Sequence, residues 1–78
     1  MRVCDSHGTT RNIRRLIAEK KVKISAIAIE MRVAKPTVYR WLDGIVPTID
    51  HCVALAHLLG VSLDDLIATK DEEDEYDC

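Results

Sequence analysis

Lys35, Pro36, Tyr39, Arg40 and Asp43 form a polar set spaced for one face of a short helix. Pro36, Tyr39, Arg40 and Asp43 recur three and four residues apart, and Lys35 stands beside them at the helix start. Val38, Trp41 and Leu42 share the opposite, inward stripe. A Lys ammonium and an Arg guanidinium offer only hydrogen-bond donors, which suits a polyanion with acceptor groups. A duplex presents such acceptors on its phosphates and at guanine O6 and N7. DNA is therefore the partner these residues suggest.

The elements around that face follow from apolar spacing and punctuation. Thr10 is read as the cap of a first helix reaching about Lys21, with Ile13, Leu16 and Ile17 inward and Arg11, Arg14, Arg15 and Glu19 outward. A second helix runs from Ile24 or Ser25 to Met31, and Arg32-Val33-Ala34 makes a turn. The third begins at Lys35-Pro36, where proline is tolerated because first-turn amides lack intrahelical partners. It stops at Gly44, suited to a left-handed helix end. Thr48 is read as capping a fourth helix to Leu59, with Ile49, Cys52, Val53, Leu55, Ala56 and Leu59 as its apolar side. Ser62 and Asp65 make a capping box for a fifth helix from Leu63 to about Ala68. The expected fold is all-α, a compact five-helix bundle containing a helix-turn-helix. Residues 1–9 are expected to be a flexible lead, 10–69 the domain and 70–78 an acidic disordered tail.

Size and charge bound the function. With 78 residues the chain has room for one domain, and without Phe its core must be mainly aliphatic. The net charge of −2 hides segregation. Arg11 to Arg40 holds nine Lys/Arg against Glu19 and Glu30, whereas Asp71 to Asp77 holds six acids and no base. A basic half of this kind supplies a phosphate-facing surface despite the acidic total. The tail invites a hypothesis that it folds onto the basic face and competes with phosphate. Three cysteines, Cys4, Cys52 and Cys78, do not make a disulfide framework, so a cytoplasmic setting is expected. No apolar run approaches a signal peptide or a membrane span. Cys4 and His7 are too few for a metal site, and no nucleophile, base and orienting acid stand at usable spacing. Neither metal, cofactor nor enzyme activity is expected.

The pieces together carry a resemblance. Ile27-Ala28, Val33, Thr37-Val38-Tyr39-Arg40-Trp41, Gly44, Pro47 and Leu58-Leu59-Gly60-Val61-Ser62-Leu63-Asp64-Asp65-Leu66 resemble the phage repressor and Cro family, the xenobiotic-response-element helix-turn-helix regulators. The resemblance spans residues 12–68 and implies a lambda-repressor-like fold whose third helix reads the major groove. By position it implies base or groove contacts from Lys35, Pro36, Thr37 and Arg40, with Tyr39 at the edge, and a phosphate contact from Ser25. It implies a repressor of the phage or mobile-element type. Separately, the apolar residues Ile29, Ile45 and Val46, read as exposed, suggest a homodimer formed through them or through the later helices, with two-fold symmetry matching a palindromic site. The alternative is a protein-binding module of the same fold, an antitoxin or a regulator antagonist. The chain departs from the family pattern at several positions. Arg32 replaces the usual turn Gly and must take a left-handed backbone or shift the turn. Ala34 replaces a capping Ser or Thr. Ile17 and Leu42 replace an Arg–Glu pair, an exchange the fold tolerates. Ile24 removes one phosphate contact, and Ile45 and Val46 stand where basic residues are frequent.

Overall fold

Helix caps and chain-end pairing set the limits of the bundle. The computed structural model describes residues 1–71. A strand β1 (Arg2–Cys4) leads into α1 (Ser6–Lys20), followed by α2 (Ile24–Met31), α3 (Lys35–Leu42), α4 (Ile49–Leu59), α5 (Leu63–Leu66) and a strand β2 (Thr69–Asp71). The five expected helices are present. The core joins Ile13 and Leu16 of α1, Ile27 and Ala28 of α2, and Val38 and Trp41 of α3. Cys52, Leu55, Ala56 and Leu59 of α4 and Leu66 of α5 complete it. Ile17 and Leu42, the apolar substitutes for the family's ion pair, are both half-buried against this cluster.

The first helix starts earlier than its sequence suggests. Its N-cap is Asp5, whose Oδ1 accepts the Gly8 N–H at 3.1 Å, and Thr10 is an interior helical residue. Residues 1–9, expected as a lead, hold a strand and the first helical turn. Tertiary contacts explain the difference. The Asp5 N–H donates to the Ala68 carbonyl at 2.8 Å, and Ala68 N–H donates to Thr9 Oγ1 at 3.0 Å. Asn12 Nδ2 donates to the Leu66 carbonyl at 3.2 Å. Beyond this junction β1 and β2 pair antiparallel, with Arg2 opposite Asp71 and Cys4 opposite Thr69. Lys70 and Asp71, expected in the tail, lie in β2. The remaining acidic segment, and with it the competition hypothesis, lies outside the described residues.

The other ends follow local chemistry. The Ser62–Asp65 capping box forms in both directions, yet α5 stops at Leu66, two residues short of the expected Ala68. Gly44 and Gly60 take φ of +111° and +71° after their helices. Thr48 holds the N-cap of α4 without a side-chain capping bond. On α4 the buried stripe is Cys52, Leu55, Ala56 and Leu59, spaced i, i+3, i+4 and i+7. Ile49 and Val53, expected inside, fall to one flank of that stripe and are 59% and 52% exposed. Among the described residues, no helix is long and apolar enough to cross a membrane.

Candidate nucleic-acid interface

Two eight-residue helices, α2 and α3, pack on each other across a three-residue turn. Arg32 ends α2 in the left-handed region at φ 55°, ψ 44°, so the turn keeps its length with Arg in the place of Gly. The Val33 N–H then donates to the Ala28 carbonyl at 3.0 Å, closing the helix end. Ala34 has N-cap geometry for α3, φ −76° and ψ 149°, but no side chain to cap with. Pro36 fits the first turn because no intrahelical bond is lost there.

The helical period divides α3 as its sequence implies. Val38 and Trp41 are buried, and the Trp41 ring lies 5.3 Å from that of His51 at 46°. Lys35, Pro36, Tyr39, Arg40 and Asp43 are exposed and Thr37 is half-buried. Ser25 is half-buried in the first turn of α2, away from this face in sequence but next to helix amides that no side chain caps. Lys35 and Arg40 make no ion pair or side-chain hydrogen bond among the described residues.

Residues 12–72 match the family model of the Cro/C1-type HTH DNA-binding domain. The chain belongs to that family. No curated protein and no solved structure matches it. The matched stretch of this Cro/C1-type domain covers α2, the turn and α3 and leaves out β1 and the first turn of α1. Its partner class is accordingly DNA.

A shallow groove brings three of the sequence-derived residues, Pro36, Tyr39 and Arg40, together with Arg14, Leu42 and Asp43. A second groove continues from it between α1 and the end of α3, lined by His7, Thr10, Arg11, Arg14, Leu42, Asp43 and Gly44. Sequence reading offered Arg14, with Arg15, Lys20, Lys21 and Lys23, as a set from which one or two phosphate contacts were expected, and did not connect His7 or Arg11 with it. The signal was present, since His7, Thr10, Arg11 and Arg14 are spaced i, i+3, i+4 and i+7. It becomes visible once the helix is known to begin at Ser6.

Proposed function

We propose that this Cro/C1-type domain is a sequence-specific double-stranded DNA-binding transcriptional regulator acting as a repressor. The observation that carries the reading is the outward face of α3, exposed and with its cations in no ion pair among the described residues, in a domain of a DNA-binding family. In the major groove Arg40 donates to guanine O6 and N7, and Lys35 to a guanine or a phosphate. The Pro36 ring touches a thymine methyl, Thr37 lies at the helix start, and Tyr39 borders the contact. Ser25 and the uncapped amides at the start of α2 hold a phosphate and fix the register. The unpaired thiols of Cys4 and Cys52 are consistent with the reducing cytoplasm as its place of action.

A homodimer is part of this reading. Ile45, Ile49 and Val53 are all more than half exposed, and the last two share one flank of α4. Two copies joined there would match a palindromic site. The same patch, with Ile29, is what favours the second reading, a module that pairs with another protein such as a toxin or a regulator.

Selection of bound duplexes from a random pool tests the proposal. We expect a recurring, two-fold symmetric site and an affinity that falls steeply with salt. Arg40→Ala should then lose discrimination at one base pair, by about 1–3 kcal/mol. A pool that yields no enriched duplex in dilute buffer overturns the DNA reading in favour of the protein-binding one. An enriched site without symmetry removes the dimer alone.

A further inference from the structure

We propose that Arg11 and Arg14 of α1 form a second DNA-contacting element, a phosphate rail beside the recognition helix. The inference rests on α3 being that helix, and it adds residues no part of the family match assigns. Arg11 precedes the matched stretch altogether.

Four observations support the rail. First, the two side chains lie on the α1 stripe that faces the end of α3, and Arg14 lines both grooves, bridging the stripe to Pro36, Tyr39 and Arg40. Second, both residues are exposed and make no ion pair or side-chain hydrogen bond among the described residues. Their neighbour Arg15 differs: it points to Glu19 and pairs with it at 3.2 Å. Third, the floor between them is not charged, since Thr10 is buried there and Leu42 is apolar, so nothing but Asp43 competes for the guanidinium groups. Fourth, the spacing fits a duplex. Packed helices lie about 8–10 Å apart, while the major groove is about 12 Å wide. A helix beside one seated in the groove therefore falls near the phosphate strand that walls it. Guanidinium groups suit phosphate oxygens because their fork can donate two bonds at once.

Among the described residues Asp43 is the one carboxylate lining these grooves, and it makes no ion pair. Its charge repels a passing phosphate and limits indiscriminate binding to any duplex.

The test compares wild type with the double variant Arg11→Ala/Arg14→Ala on two probes, a duplex selected from the random pool and a scrambled one. Binding is measured across a salt series. The double variant should bind both probes more weakly, with the slope of log K against log salt reduced by about 2 and the preference between probes unchanged. Its curve should converge with wild type toward molar salt, where the counterion contribution vanishes. Arg11→Lys/Arg14→Lys should keep most of the slope, and Arg15→Ala should keep nearly all of it. Asp43→Asn should tighten binding to the scrambled duplex. A double variant with the wild-type slope overturns the rail while leaving the function intact. A changed preference between probes overturns it too, because the pair would then read bases. Absence of wild-type binding to either probe removes the function and the rail together.

Discussion

Arg32 shows what a single residue concedes to the fold. A side chain in the left-handed region costs roughly 1–2 kcal/mol because Cβ crowds the following carbonyl, and Arg32 sits there at φ 55°. The side chain is exposed and, among the described residues, makes no ion pair or side-chain hydrogen bond that would offset the cost. Arg32→Gly should relieve the strain while adding about 0.5–1 kcal/mol of backbone entropy to the unfolded chain. We expect a net gain of up to about 1 kcal/mol, a rise in Tm of a few degrees for a domain of this size. An unchanged or lower Tm in a thermal melt contradicts this account of the turn. The sequence showed that Arg32 must either take this conformation or move the turn. Only the structure showed that it takes it. Lys21 ends α1 in the same conformation, a position that carried no comparable family expectation.

At the scale of elements, the junction between the chain ends governs where α1 begins. Gly8 makes it possible. A Cβ there would stand 2.7 Å from the Ala68 Cβ and 2.8 Å from Asp5 Oδ2, a clash with neighbouring packing and with the capping carboxylate. Overpacking of this kind costs about 1–3 kcal/mol, against roughly 1 kcal/mol of helix propensity that alanine adds. Gly8→Ala should therefore destabilise the domain in urea, although a replacement inside a helix is ordinarily favourable. Amide exchange should report the loss at Asp5 and Ala68, whose N–H groups make the joining bonds. A stabilised variant would show that the junction yields at little cost. None of this was legible locally. Two three-residue strands have no periodicity to detect, and their partners stand more than sixty residues apart. Thr10 looked like a helix start because its hydroxyl suits a cap, which left Thr9 outside the helix. The Thr9 hydroxyl accepts a bond from Ala68 instead, so the residue stays helical. The Thr10 hydroxyl is buried without a partner among the described residues.

Across the whole molecule, burial at the centre has a consequence for pH. Cys52 is 1% exposed and its thiol donates to the Pro47 carbonyl at 3.5 Å. Loss of hydration pushes its pKa above the ordinary 9.0, and the charge that Cys4 would carry adds to the shift. The folded thiol holds its proton where the unfolded one releases it. The associated stability is complete below pH 9.0 and is lost as pH rises through the elevated folded value. The stability difference between wild type and Cys52→Ala, measured by urea unfolding, should accordingly narrow above pH 9.0. A constant difference would mean that the thiolate is tolerated in the core. The same global arrangement decides where charge meets partner. The basic stretch of the sequence is divided, with Arg15 paired to Glu19 and Arg11, Arg14, Lys35 and Arg40 in no ion pair among the described residues.

The amino-acid order alone determined the helices and the two faces of α3, because apolar periodicity, Pro, Gly and capping residues act within a few positions of themselves. It also determined the family, whose marks lie in short runs from Ile27 to Leu66. Packing between distant segments decided the rest: the early start of α1 against Ala68, the outward turn of Ile49 and Val53, and the placing of Arg11 and Arg14 beside the end of α3. Each of these depends on which surface a neighbour covers, and a helix cannot specify its neighbour through its own spacing.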